Sequence, residues 1–375
     1  MITRRRLAVT CGAAALALLA SSPAPAAELP AADRQFVDTT VAQAMQEQRL
    51  PGVTIKISGP KGTYEKSYGL GHIATSTPMA IDDHVRIASN TKTFTATAVL
   101  QQVQRRRLAL SDTLDQWVKR VPNSKQITIR QMLAMRSGIY DFTSDARWNA
   151  RFNANPLMKS KPRDIIPIIR RHKPSFAPGA RTEYADSNYV LLGIILEKVT
   201  GRSVESVITQ DIVHRLGLSE TSFPTTAAMP TPFSHGYYAG PDGTGPIQDY
   251  TAVNPQVAWT AGAMVSTTDD MFKWGKALAT GTLLNKRLQA ERLRFGTIPN
   301  GNGPPVGYGL GILRFGDWLG HDGAIFGFST AMFYERDSGA QIVAAANLSS
   351  NFSTPTLEIF ALIAQRLYPA SLARA

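Results

Sequence analysis

In "DRQFVDTTVAQAMQEQRLPG" the apolar residues Phe36, Val37, Val41, Ala44 and Met45 fall on one side of a helix, which stops at Pro51-Gly52. "VTIKIS" and "TYEKSYGL" alternate as two strands, with "GPKG" as the turn between them. A short extended run, "DHVRIAS", leads into a second helix whose stripe is Phe94, Ala98, Val99 and Val103. From about 105 to 260 the pattern is mainly helices and long loops, with Pro and Gly scattered through it. From 308 onward "YGLGILRF", "WLGHDG", "TAMFYE" and "QIVAAANL" read as strands joined by short turns, and "TPTLEIFALIAQRLY" closes the chain as an amphipathic helix. Strands at both ends around a helical middle predict an α/β (α+β) fold: an antiparallel sheet domain assembled from residues 28–104 and 261–375, flanked by helices, with an inserted mainly helical domain over 105–260.

The first 27 residues stand outside this pattern. A basic head (Arg4, Arg5, Arg6), an apolar run and small residues before Glu28 predict an export signal with cleavage after Ala26 or Ala27. The apolar run is short for a membrane span, so no stable anchor is expected, and "TRRRLA" resembles a twin-arginine signal. The expected location is secreted or periplasmic. At 375 residues, 43% hydrophobic and 18% charged, the chain suits a globular protein with a large core. Removing residues 1–27 takes away three arginines and no acid, which lowers the formal charge from +12 to +9. Such a balance suits an anionic cell-wall polymer or an acidic substrate. Nucleic acid is not expected, because no basic patch is interleaved with aromatics and Arg105 to Arg107 read as a helix C-terminus. Cys11, the only cysteine, lies in the leader, so the mature chain has no disulfide, thiol nucleophile or cysteine-ligated metal. The six histidines show no metal-binding spacing, and neither a metal nor another cofactor is expected.

The candidate chemistry is a Ser-x-x-Lys, Ser89 to Lys92. A chain of this length shows roughly one such match by chance, and Ser58 to Lys61 is a second copy. That copy falls on the "GPKG" hairpin, where nothing holds the two side chains together. Ser89 instead sits at the start of a helix, where free backbone N–H groups favour negative charge. Residues three apart on that helix share a face, so Lys92 can lie beside the hydroxyl. Taken alone, the four residues are equally well read as a helix N-cap and a solvated lysine.

Their surroundings resemble the serine penicillin-recognising enzymes: the group of D-Ala-D-Ala carboxypeptidases, class C β-lactamases and related esterases, with the secreted serine DD-peptidases nearest in look. "ITIRQMLAMRSGIYDF" (127–142) resembles the stretch that begins the helical insert of this group. "PGARTEYADSNYVLLGIILEKVTG" resembles its second motif region, with Tyr184 at the Tyr of Tyr-x-Asn. "VAWTAGAMVSTTDDMFKW" resembles the return to the sheet, and "GYGLGI" followed by "GHDGAIFGF" the third motif, with His321, Asp322 and Gly323 as His-x-Gly. These matches run in order from about residue 30 to 365.

The resemblance implies that Ser89 attacks a carbonyl to give an acyl-enzyme, with Lys92 and Tyr184 dividing the proton work between them. It places the oxyanion hole at the backbone N–H groups of Ser89 and Ala324. Gly323 would allow close approach to substrate, and His321 would donate a hydrogen bond and, if protonated, positive charge. Two departures matter. Asp186 replaces the motif's Asn, offering acceptors only when ionised, while Asn188 belongs to the following "SNY". Asp322 replaces the usual hydroxyl of the third motif, where it should repel a substrate's terminal carboxylate unless a cation such as Arg314 offsets it. The expected activity is serine-type hydrolysis of D-amino-acid peptides or related amides, D-Ala-D-Ala carboxypeptidase-like. The alternatives are a β-lactamase, a carboxylesterase, or a non-catalytic peptidoglycan-binding homologue. The expected partners are thus a small peptide, β-lactam or ester.

Overall fold

The computed structural model describes residues 27–298, 306–350 and 353–372; of the predicted export signal, all but Ala27 lies outside them. The framework is a sheet of nine described strands: β1 (Gly52–Gly59), β2 (Gly62–His72), β3 (Thr77–Pro78), β4 (Gly296–Ile298), β5 (Val306–Tyr308), β6 (Leu313–Phe315), β7 (Trp318–Ile325), β8 (Phe328–Glu335) and β9 (Gln341–Ala346). Their order is β3-β2-β1-β9-β8-β7-β6-β5-β4, and every pairing is antiparallel. The two ends of the chain meet at β1–β9, where Val53 faces Ala346 and Ser58 faces Gln341. The antiparallel sheet assembled from both termini is the one the strand pattern predicts, and it is the β-lactamase/transpeptidase arrangement that the resemblance implies.

Five helices bear on the site or its support: α1 (Ala31–Glu47), α2 (Thr91–Gln104), α3 (Asp186–Thr200), α4 (Thr268–Thr280) and α5 (Pro355–Leu367). α5 buries Ile359, Phe360, Ile363, Ala364 and Leu367, and Phe360 packs its ring against Phe315, Trp318 and Phe333. Each such side chain stabilises by about 1.5–3 kcal/mol. On the other side α4 approaches so closely that a Cβ on Gly275 would lie 3.0 Å from Met332. With both faces covered, β8 and β9 are buried at every residue, which is why "QIVAAA" does not alternate.

Two sequence expectations change. "YGLGILRF" is two strands rather than one. Gly309 donates its N–H to the Ile312 carbonyl at 2.9 Å, Gly311 has φ +74°, and Tyr308 and Leu313 face each other across the resulting hairpin. α2 is also not amphipathic, since every residue from Thr91 to Gln102 is buried and Val103 partly so. Its threonines satisfy themselves: Thr95 donates to the Thr260 carbonyl and Thr97 to the Thr93 carbonyl, at 2.8 and 2.7 Å. The hairpin of β1 and β2 follows the sequence reading, with Gly59 opposite Gly62.

Candidate active site

Ser89 lies in a single turn of 3₁₀ helix, Ala88–Asn90, immediately before α2. Ala88 has φ +49°, an uncommon conformation for a residue with a Cβ, and it turns the chain sharply from the strand at Val85–Arg86. Buried hydrogen bonds hold the turn in place. Asn90 Nδ2 donates to Thr330 Oγ1 at 2.9 Å, Thr330 Oγ1 to the Ile87 carbonyl at 3.0 Å, and Thr93 Oγ1 to the Asn90 carbonyl at 2.6 Å.

Lys92, wholly buried, points back along α2 as a residue three places on must. Its Nζ donates to Ser89 Oγ at 2.9 Å and to the Ala261 carbonyl at 2.7 Å, and pairs with Asp186 Oδ1 at 2.6 Å. Its polar neighbours are thus a hydroxyl, a carbonyl and a carboxylate. The Tyr184 hydroxyl donates to Ser89 Oγ at 2.8 Å, and the Lys92 Nζ lies 4.8 Å from the Tyr184 ring centre. Burial, followed by the nearby Asp186 carboxylate, pushes the Tyr184 phenol well above its usual pKa, which keeps it protonated at neutral pH. Asn188 stays away from this group. It accepts from Ser137 Oγ at 2.5 Å and donates to the Ala185 carbonyl at 3.1 Å, fastening the 135–142 loop to the start of α3. Asp186 is therefore the residue beside Lys92.

β7 supplies the far wall. A Cβ on Gly323 would lie 2.8 Å from Ser89 N and from Ala88 Cβ, so only glycine allows the strand to come this close. His321 faces the same way and is buried. Its Nδ1 donates to the Asp322 carbonyl at 2.6 Å, which leaves Nε2 to accept from the Tyr308 hydroxyl at 3.3 Å. Burial, and then Lys92, lower the His321 pKa to about 3. The ring is neutral, and the positive charge that His321 could have brought to the site is absent at neutral pH. Asp322 alternates to the opposite face of β7, where its carboxyl lies near Thr354 and burial raises its pKa. It still lines the cleft, because β6 pairs with β7 only as far as Gly320 and leaves the strand open beyond.

Arg314 does not reach the site. Leu313 and Phe315 line the cleft, so the residue between them faces the other side of β6, where its guanidinium packs 5.1 Å from the centre of the Phe295 ring. Two residues passed over in the sequence do belong here. Asp141 lines the cleft, and burial plus the Asp186 charge raise its pKa to about 6. Tyr308 holds His321 and meets the Tyr184 ring edge-on at 6.0 Å. Both stand inside stretches that carried the resemblance, which was the available signal.

The cleft has a volume of about 490 Å³ and contains Ser89, Tyr184, Asp186, Asp322, Gly323 and Ala324 among its walls. None of its described lining residues is Lys or Arg. Elsewhere, His72, His235 and Asp249 bring their ligand atoms within 4.8 Å of one another. The two imidazoles stack at 3.7 Å and 5°, so their in-plane lone pairs lie in parallel planes, and His235 Nδ1 already bonds Asp249 at 2.6 Å. The trio is a hydrogen-bonded stack rather than a convergent ligand set.

Residues 37–365 match the family model described as Beta-lactamase. The chain belongs to the beta-lactamase family. Within this family it is 29% identical over 339 residues to Protein flp of Staphylococcus aureus (strain MW2), covering 87% of this chain and 65% of that protein; it thus spans just under two thirds of the length of that relative. It is 24% identical over 331 residues to Penicillin-binding protein 4* of Bacillus subtilis (strain 168), covering 84% and 72%. A D-stereospecific amidohydrolase from Streptomyces sp. superposes with a TM-score of 0.78 at 30% identity, covering 90% of this chain and 98% of that one. The D-amino acid amidase from Ochrobactrum anthropi SV3, complexed with L-phenylalanine amide, gives 0.76 at 25%, covering 89% and 99%. No helix among the described residues is long and apolar enough to cross a membrane.

Proposed function

We propose that the protein is a serine amidohydrolase that cleaves D-amino-acid amides and peptides through an acyl-enzyme on Ser89. The observation that carries the reading is a Ser89 hydroxyl held at once by Lys92 and Tyr184, in a cleft walled by three carboxylates and, among its described lining residues, no Lys or Arg. The D-configuration is supported by the two amidohydrolases whose folds match most of this chain.

Tyr184 begins protonated. With substrate bound, its proton turns to the leaving nitrogen while its oxygen takes the Ser89 proton, as the Ser89 Oγ–carbonyl carbon bond forms and the carbon–nitrogen bond breaks. No separate free base is needed. Water then adds to the acyl carbon, gives a proton to the same relay, and Ser89 Oγ leaves with it. Lys92 steadies the developing negative charge on Oγ. The backbone N–H groups of Ser89 and Ala324 receive the carbonyl oxygen, at about 3 kcal/mol each.

The leaving side is expected to be uncharged. Asp141, Asp186 and Asp322 face it, and Lys92 is already paired with Asp186. The test compares kcat/KM for a D-Ala-D-Ala peptide and its C-terminal amide, in the wild type, Asp322→Thr and Ser89→Ala. The amide should lead in the wild type, and Asp322→Thr should narrow the gap by about three- to tenfold. A ratio untouched by Asp322→Thr overturns the charge argument, and hydrolysis that survives Ser89→Ala overturns the nucleophile.

A further inference from the structure

The cleft does not end at Ser89. Thr143 lines it and also lines a second cavity of about 430 Å³. The walls of this cavity are aromatic. Trp148 stacks on Phe152 (ring centres 5.5 Å apart, 4°), Phe152 on Phe326 (4.6 Å, 30°), and Tyr238 leans on Tyr250 at 4.8 Å. Phe152 is buried in a small apolar cluster against which Trp148, Tyr250 and Phe326 pack, and Trp148 and Phe326 also touch the main core. Phe152 lies at the base of the cavity, while Trp148, Phe326, Tyr238 and Tyr250 are half-buried and present their surfaces to it.

The groove is built onto the reacting centre. Phe326 follows Ala324 by two residues, in the turn just past the end of β7 at Ile325, so its Cα lies no more than about 7 Å from that of the proposed oxyanion donor. That is the reach of one aromatic side chain from the residue whose carbonyl is attacked. At the junction, Asn149 Nδ2 donates to the Thr143 carbonyl at 2.8 Å and ties the groove wall to the cleft.

The two halves of a substrate can be told apart by where Tyr184 stands. Tyr184 must reach the leaving nitrogen, and it lines the cleft rather than the groove. The leaving group therefore occupies the cleft, and the groove is left for the acyl half. Resting on the amidohydrolase reading above, we infer that the aromatic groove is the acyl-side specificity subsite and takes an aromatic ring carried by the D-amino acid that acylates Ser89. Flat rings offered by two walls favour a planar guest through offset and edge-on stacking.

The test uses three substrates with the purified protein: D-phenylalanine amide, D-alanine amide and D-alanine benzylamide. The last carries its ring on the leaving side. The wild type should favour D-phenylalanine amide over D-alanine amide by about tenfold or more in kcat/KM, mainly through KM. Phe326→Ala should collapse that ratio. Phe326→Leu, which keeps an apolar filling and the fold but removes the flat face, should reduce it by about threefold or more. The inference is overturned if the ratio is near one in the wild type, or if both variants leave it intact. It is overturned equally if D-alanine benzylamide, rather than D-phenylalanine amide, is the substrate whose advantage Phe326→Ala removes. Failure of the wild type to hydrolyse any of the three, with the fold verified by circular dichroism, removes the amidohydrolase reading and the subsite with it.

Discussion

Ser58 and Lys61 have the same spacing as Ser89 and Lys92, but the two pairs meet opposite fates in the fold. Ser58 sits in β1 opposite Thr63, and Lys61 caps a two-residue turn in solvent. On a strand and turn, residues three apart point where the pleat and the turn send them, and nothing converges. Ser89 and Lys92 occupy adjoining helical turns wedged between sheet and helices, and the buried Lys92 amine is held against the serine. The difference teaches that the motif's chemistry lies in the burial of its lysine. A buried lysine must find partners, and the fold offers a hydroxyl, a carbonyl and a carboxylate.

The sharpest way to break the comparison is paired substitution. Ser89→Ala should lower kcat on a D-amino-acid amide by on the order of 10⁴-fold or more, and Ser58→Ala should stay within about twofold of wild type. A large loss in Ser58→Ala would erase the distinction. Next comes Lys92→Ala. It should cost on the order of 10³-fold in kcat. It should also lower stability by about 1–3 kcal/mol, because Asp186 loses its buried partner while remaining in touch with solvent; Lys61→Ala should change stability by less than about 0.5 kcal/mol. Urea titration of both variants checks this. Gly323→Ala tests the pressure of β7 on the Ser89 turn. The new methyl would meet backbone at 2.8 Å, and displacement of the serine should cost on the order of 10²-fold in kcat/KM.

The smallest effect concerns pH. Asp141 titrates at about 6, above the ordinary carboxylate range. As pH falls from 7 to 5 it takes up a proton, and the cleft loses negative charge. A substrate with a free terminal carboxylate should then gain on its amide by about two- to threefold. Asp141→Asn should flatten that gain. The same raised value has a stability consequence: the native state binds this proton more tightly than the unfolded chain, so the contribution of Asp141 is fully present below about pH 4 and fades as pH rises through 6. Thermal melts of wild type and Asp141→Asn across that window measure it.

What was legible in the sequence follows from distance along the chain. Ser89 and Lys92 could be placed because helical spacing is local, and the β1–β2 hairpin because a turn declares itself. Tyr184, Gly323 and Ala324 required the resemblance, since no periodicity brings residue 184 to residue 89. Asp141 and Tyr308 escaped because a cleft wall is assembled from loops whose mutual positions depend on bonds such as Phe142 N–H to Ser187 Oγ, 45 residues apart. Arg314 misled for a different reason. The hairpin at Gly309–Ile312 sets which way β6 faces, and the unbroken run "YGLGILRF" concealed it. The buried threonines Thr93, Thr95 and Thr97 misled likewise, because hydroxyls that bond to nearby carbonyls need no water.

The pairing of β1 with β9 has a consequence for the order in which the protein comes into being. A ribosome delivers Ser89 before the rest of the site, with its lysine close behind it in sequence. Tyr184 and Asp186 arrive about a hundred residues later, Gly323 later still, and β9, which fills the gap between β1 and β8, after that. The nucleophile is therefore made well before its setting can close. A chain halted before Gln341 carries Ser89 and Lys92 intact, yet presents two bare strand edges in the middle of its sheet. It is a candidate for aggregation before it is a candidate for catalysis.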